Sequence, residues 1–481
     1  MSRRIASRLK IEGSLTALGP LHIGGMGGDE DVDLMLARDG QNRVYIPGTS
    51  LAGPLRAWLS ERADSQVAND LFGPLQKKGD KEGQASIVMV EDGLVTLPAD
   101  CQFETRDGIG IDRQTGTAAD GAKYDRAILP YGSTVVFKMS VELPGKVTDQ
   151  KRSEIRGLIG AMIEALGEGQ IRFGAAKSRG HGLVKLGSAT VTEQDLNSRD
   201  GILRALRDKR GTEIELPGIQ LAERPRVHIT ITWHPRGPLM VKAENDGVGV
   251  DMLPLTSAID GRLSFVLPGS SIKGAFRSHA ERIVRTLCPE IKSEDEFLDQ
   301  VEVPFIVDLF GAASAGEDDQ ELNEEGPPVP GLSALGVEDC YAKSVRFSRE
   351  LWARVEQADS TINKVGQTEN ELYIALREAG LEGTQMAMHV AVDRWTGGAA
   401  EGFLYSVLEP HDIEWEPIRL RLDLARLDGA QKQLGAIACL FLVLRDLAAG
   451  RLPLGFGANR GMGALANDAV QIETRAFDDE I

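Results

Sequence analysis

Two stretches of this chain, RVYIPGTSLAGPLR (43–56) and SFVLPGSSIKGAFR (264–277), repeat one pattern. Each is a short apolar run, a Pro-Gly pair, two hydroxyl residues and a small-residue helix start that carries a basic side chain. Pro-Gly stops a strand, and Thr49/Ser50 or Ser270/Ser271 are good N-caps for the helix that follows. A helix N-terminus presents unpaired N–H groups and a positive dipole end, so it suits a phosphate. Arg56, Lys273 and Arg277 lie in the first turns and add formal charge. One such motif says little. Two constrain the chain to a fold that can be built twice.

The surrounding elements repeat in the same order. An alternating strand (5–17) leads into the Gly- and acid-rich loop GPLHIGGMGGDEDVD (19–33), then a hairpin and a capped helix over about 50–64. The strand ASIVMVEDG (85–93), a long loop or hairpin (101–131), the strand TVVFKMSVEL (134–143) and a helix (151–169) follow, ending in a glycine-rich loop that enters a strand. The second round has a strand at 226–234, a loop at 237–251, the hairpin and capped helix, and a strand ending Val-Glu-Asp. It closes with a helix at 430–450, apolar nearly all round and so expected in the core, and LPLGFGANRGMGAL (452–465).

Two further matches are specific. IGIDRQTGTAADG (109–121) matches VAVDRWTGGAAEG (390–402), and the glycine loops share Phe-Gly-Ala and then Arg-Gly-x-Gly. That pairs Gly174 with Gly457, Arg179 with Arg460 and Gly180 with Gly461. The second copy carries extra residues before its Asp-Arg loop, an acidic segment (314–335) and a helical stretch (348–380). The expected organisation is a first domain at 1–190, a connector at 191–224, and a second domain at 225–481 with an insertion at about 312–383. The expected class is α+β, two tandem βαββαβ, ferredoxin-like units with elaborations.

The formal net charge of −18 argues against nucleic acid, since phosphate contacts need Lys and Arg. The acid is unevenly spread, however, with runs at 317–325, 414–416 and 478–480 that read as solvated loops or tails and leave room for local basic grooves. Four scattered cysteines without a CxxC pair suggest neither a disulfide framework nor a zinc site. No run is long and apolar enough to span a bilayer and no signal peptide is read, so the expectation is a cytoplasmic protein.

LHIGG near the first strand, IPGTSLAGPLR or LPGSSIKGAFR, Leu-Phe-Gly, the Ile-Asp-Arg-x-Thr-Gly loop and the closing Phe-Gly-Ala…Arg-Gly-x-Gly together resemble the repeat-associated mysterious protein (RAMP) superfamily. The likeness is greatest to the backbone subunits of bacterial or archaeal type III CRISPR effector complexes, in a fused tandem form similar to type III-D variants. It implies RRM-like domains with thumb hairpins, here about 104–132 and 384–410, that stack along a guide RNA. It implies as partners the guide RNA, a complementary target RNA, a large polymerase-like subunit, other RAMP subunits and a small subunit. It further implies an aspartate after the first strand that drives Mg²⁺-dependent target cleavage.

Carried onto this sequence, that aspartate is Asp33 in the first copy, with Asp29 and Asp31 nearby. In the second it is Asp251, with Asp246 as the other candidate. RNA supplies its own nucleophile, the 2′-OH, and an aspartate can hold Mg²⁺ or accept the hydroxyl proton. Ser50, Ser271, Lys177, Arg179, Arg460 and the loop glycines are candidate guide-phosphate contacts. Arg113 and Arg394 are candidates for the RNA backbone at the base of each thumb, with an internal Asp112–Arg113 salt bridge shaping the hairpin as the alternative. Trp395 suits base stacking or a subunit contact. Two rival readings stand beside nuclease activity: an inactive guide-binding scaffold, and a guide-processing endonuclease using His22.

Overall fold

The computed structural model describes residues 4–25, 32–74, 83–208, 211–244, 246–291, 297–312, 333–360, 370–427 and 429–475. Asp29, Asp31 and the acidic runs 317–325 and 478–480 lie outside the described residues. The chain divides into two compact units. One comprises Met1–Arg106, Arg126–Lys177 and His181–Arg224; the other comprises Asp107–Asp125, Ser178–Gly180 and Pro225–Ile481.

In the first unit the strand Ile5–Ala17 alternates as its sequence requires, burying Leu9, Ile11 and Leu15 while Lys10, Glu12 and Ser14 point outward or half outward. It pairs antiparallel with Thr134–Pro144 on one side, and with Val184–Leu186 and Thr190–Asp195 on the other. Val88–Val90 joins the outer edge of Thr134–Pro144. Helix Asp149–Gly167 starts at Thr148, whose hydroxyl accepts from Lys151 N at 3.2 Å, and Asp149 complements the dipole in its first turn. It buries Ile155, Leu158, Ile159, Met162 and Leu166, an i, i+3, i+4 stripe worth about 1.5–3 kcal/mol per large side chain.

The second unit repeats this order. Arg226–Pro235 lies between Ile418–Asp423 and Leu465–Arg475, and Leu335–Val337 takes the outer edge of Ile418–Asp423, all antiparallel. Helix Ala430–Ala448 buries only one face, through Ala436, Leu440, Val443, Leu444 and Leu447. Leu434 and Phe441 stay 69% and 47% exposed, contrary to the all-round burial expected from its composition, because the single sheet can cover only one side. Each copy also carries a long hairpin, Glu104–Ile111 with Ala118–Ile128 and Thr384–Val392 with Ala399–Pro410, each forming a two-stranded sheet of its own.

The Pro-Gly turns open the helices Gly48–Ser60 and Gly269–Leu287, but not by the expected capping. The N-cap residues are Pro47 and Pro268, and Ser50 and Ser271 lie inside the first turn without making a cap bond. The first helix N–H is instead taken by an aspartate just past a distant strand. Gly48 N donates to Asp92 Oδ1 at 2.7 Å, and Gly269 N donates to Asp339 Oδ1 at 2.8 Å. Both aspartates belong to a Val-Glu-Asp sequence present in each copy. The glycines are pressed against the same strands: a Cβ on Gly48 would sit 2.1 Å from Val90 O, and one on Gly269 would sit 2.3 Å from Val337 O. Backbone cannot yield such a distance cheaply. Gly48→Ala and Gly269→Ala are each expected to lower unfolding stability by about 1–3 kcal/mol, read from chemical denaturation midpoints.

Candidate nucleic-acid interface

In each copy the loop after the first strand runs beside the return strand of the long hairpin. Leu34 bridges Arg126, and Met252 bridges Val407, both in parallel. Ala127 N donates to Leu34 O at 3.0 Å, and Leu408 N donates to Met252 O at 2.9 Å. Asp33 and Asp251 each precede the bridging residue, and both are exposed. The register therefore matches these two aspartates with one another. Asp246 lies earlier on its loop and is ion-paired with Lys242 at 3.6 Å.

Asp251 is tightly held. Its Oδ2 accepts from Ser406 N at 2.7 Å and from Ser406 Oγ at 2.8 Å, while its own N–H donates to Ser406 Oγ at 3.0 Å. The Ser406 N–H, followed by its hydroxyl, pulls the carboxyl below the ordinary aspartate range, against a smaller opposing effect of burial. The same register puts Asp125 of the first copy at the position of Ser406, so a carboxylate stands where the second copy has a hydroxyl.

The glycine loops cross the end of the first strand in both copies. Ala175 N donates to His22 O at 2.9 Å, and Phe456 N donates to Met240 O at 2.8 Å. Gly182 N reaches Pro20 O at 2.8 Å, and Gly463 N reaches Pro238 O at 2.9 Å. This register pairs Gly174 with Gly455, correcting the match to Gly457 suggested by Phe-Gly-Ala. Only glycine fits there, since a Cβ on Gly174 or Gly455 would meet the crossing carbonyl at 2.1 or 2.3 Å. Arg179 and Arg460 do correspond and are exposed, as is Gly461; Gly180 is buried against Asp339, while Lys177 and Gly457 are half-buried.

Each of these arginines meets a tyrosine that the motif comparison passed over. Arg179 Nη1 donates to the Tyr124 hydroxyl at 2.9 Å, and the Arg460 guanidinium lies 5.3 Å above the Tyr405 ring and 5.8 Å from that of Phe456. His389 stacks on Tyr405 with ring centroids 5.3 Å apart. Tyr124 and Tyr405 follow their Asp-Arg-x-Thr-Gly motifs at the same spacing, which was the available signal. The arrangement offers a paired aromatic and guanidinium surface on each hairpin, the kind that takes up a nucleotide base.

Several expected phosphate contacts turn inward. Lys273 is 6% exposed, its amine donating to Ser178 Oγ at 3.1 Å and Ser333 Oγ at 2.5 Å. Burial, reinforced by Arg179, Arg277 and Arg426, holds that amine well below its ordinary pKa. Arg277 spends its guanidinium on Glu281 at 2.8 Å and on the carbonyls of Gly311 and Val301 at 2.8 and 2.7 Å. Arg56 donates to Asn69 Oδ1 at 2.7 Å. Arg113 donates to Glu281 Oε2 at 2.6 Å, an internal salt bridge, whereas Arg394 is exposed. The first N–H of each capped helix is taken by a protein carboxylate. His22 is 3% exposed, donates from Nδ1 to Ala127 O at 2.7 Å and has its pKa lowered chiefly by burial; Met240 replaces it in the second copy. A buried, neutral imidazole seated on a carbonyl is a packing element, not an exposed general base.

The RAMP superfamily model matches residues 14–185 and 255–466, the two copies in turn. The chain belongs to the RAMP superfamily. Membership implies a CRISPR-associated, RNA-binding subunit, with RNA and other subunits of a CRISPR complex as partners. No curated protein sequence matches the chain. Among the described residues no helix is long and apolar enough to cross a membrane.

The Ser406 contacts give this RAMP protein a titration test. Because the folded-state pKa of Asp251 is depressed, the ionised carboxylate persists down to that lowered value, and its stabilising contribution is lost as pH falls through it. Ser406→Ala removes the hydroxyl and leaves the backbone donor, so the Asp251 pKa is expected to move up toward the ordinary value. Carboxyl-carbon NMR titration of the two proteins measures the difference.

Proposed function

We propose that this RAMP protein is a fused pair of backbone subunits of a type III CRISPR ribonucleoprotein, of a form similar to type III-D, that holds guide RNA and cuts complementary RNA at two positions. Its neighbours in this reading are a large polymerase-like subunit, further RAMP subunits and a small subunit. The antiparallel order of each central sheet supports reading the halves as ferredoxin-like. The observation that carries the nuclease reading is the repeated placement of one exposed aspartate, Asp33 or Asp251, beside the return strand of a hairpin.

In the cleavage step the 2′-oxygen attacks the adjacent phosphorus and the 5′-oxygen leaves, giving a 2′,3′-cyclic phosphate and a 5′-hydroxyl. In the second copy Tyr405 with Arg460 would hold the displaced nucleotide so that the 2′-oxygen stands in line. Asp251, with its lowered pKa, is a weak base at neutral pH and serves better as a fixed negative charge. Among the described residues no cluster of three or more His, Cys, Asp or Glu side chains is suited to hold a metal. Asp251 would offer its carboxylate to a Mg²⁺ beside the RNA phosphate, and such a cation would supply charge stabilisation as the phosphorus becomes pentacoordinate.

The test uses the guide-loaded complex with labelled complementary RNA. Asp33→Ala and Asp251→Ala are each expected to remove a different one of two cuts, with a rate loss of about 100-fold or more, and chelation of Mg²⁺ to stop both. Asp246→Ala should leave both cuts in place. Persistence of both cuts in the Asp33→Ala/Asp251→Ala double variant would make this chain a guide-binding scaffold and put the nuclease elsewhere.

A further inference from the structure

The second copy carries residues 342–383 between Cys340–Tyr341 and the hairpin strand Thr384–Val392, where the first copy passes from Gly93–Thr96 to Glu104–Ile111 through residues 97–103 alone. The two starting points correspond, because Ile46 pairs with Gly93 just before Pro47 as Leu267 pairs with Cys340 just before Pro268. Within the extra length Arg349–Gln357 and Glu371–Glu378 are helices. Trp352 roots the first of them in the core at 4% exposure, stacked on Phe347 with ring centroids 5.2 Å apart and in edge contact with Phe265 at 5.9 Å. An ion pair between Arg354 and Glu378 joins the helices to each other.

These helices meet the loop that carries Asp251. Val248 N donates to Glu356 O at 2.7 Å, near the end of the first helix. A Cβ on Gly249 would lie 2.5 Å from Ser360 N and 2.6 Å from Ala358 O, so only glycine lets the two backbones approach this closely. Segment 358–360 is tied in turn to the second helix. Asn370 Nδ2 donates to Ser360 O at 2.7 Å, while Oδ1 of the same side chain caps that helix by accepting from Tyr373 N at 2.9 Å. Leu372 N adds a bond to Asp359 O at 3.2 Å. Asp251 follows Gly249 by two residues, and its carboxylate is fixed separately by Ser406.

We infer that the insertion is a brace for the second site: Gly249 and Asn370 are positioning residues that hold the Asp251 loop in place, and cleavage at the second position depends on them while cleavage at the first does not. The brace fixes the backbone of the loop, and Ser406 fixes the side chain it presents. Residues 97–103 are too few to form these helices in the first copy, so the loop that carries Asp33 has no counterpart of them. A misplacement of about 1 Å can slow an in-line reaction about 100-fold, so a Cβ that pushes Gly249 off the brace is read in the rate. The inference rests on the proposed nuclease function, and the cut assigned to Asp33 is its internal control.

The experiment times both cuts in one guide-loaded complex at saturating labelled target RNA. Gly249→Ala is expected to slow the Asp251-dependent cut about tenfold or more, with the Asp33-dependent cut and the affinity for target unchanged. Asn370→Ser keeps an oxygen at the helix cap but loses the donor to Ser360 O. It should slow the same cut and, in the chain without RNA, lower the hydrogen-exchange protection of the Val248 amide. A second cut that keeps its rate in both variants, yet is lost in Asp251→Ala, would overturn the inference and leave the nuclease reading standing. Equal slowing of the two cuts would also overturn it, because general loss of folding or guide binding acts on both. Persistence of both cuts in the Asp33→Ala/Asp251→Ala double variant would remove the nuclease reading and this inference with it.

Discussion

The structure depends on a clamp made twice, in which a glycine at the start of a helix is pressed onto a strand whose aspartate takes its N–H. The contact fixes where the helix begins and which strand it lies beside. It also spends the positive end of the helix on the protein itself. A carboxylate at 2.7 or 2.8 Å satisfies the first orphan donor and complements the helix dipole.

The same economy explains how a chain with net charge −18 can carry an RNA-binding fold. Much of the motif-borne charge is consumed internally: Arg277 and Arg113 converge on the buried Glu281, and Lys273 is buried against two serines. Arg179 and Arg460 remain at the surface, each set against a tyrosine. In the proposed reading, RNA held by such pairs would lean on stacking and local geometry more than on a broad positive field.

Duplication has not kept the two copies equivalent. Asp251 is fixed by a serine where the first copy has Asp125, His22 gives way to Met240, and one hairpin tip is locked while the other is open. The first two differences are single side chains in a matched backbone, whereas the tips share one Asp-Arg turn and differ in the groups they meet.

Much of the architecture was legible in the sequence because it rests on local rules. Alternation in 5–17, the i, i+3, i+4 stripe of the helix Asp149–Gly167, and the Asp-Arg-x-Thr-Gly tips all follow from short-range geometry, and the doubled motifs revealed the duplication. Asp33 and Asp251 came from the family resemblance, and it is the register beside each hairpin that matches them to one another. The sequence misled where a bond spans many residues. Ser50 and Ser271 look like caps, but Asp92 and Asp339 arrive from strands far along the chain; Lys273 and Arg277 look like phosphate ligands, but folding buries their partners beside them. Phe-Gly-Ala pairs the wrong glycines because backbone crossing, not residue identity, selects Gly455. A sequence determines which elements form and that they form twice. Only the tertiary structure decides which donor meets which acceptor, because a hydrogen bond is won by whichever group folding brings within about 3 Å.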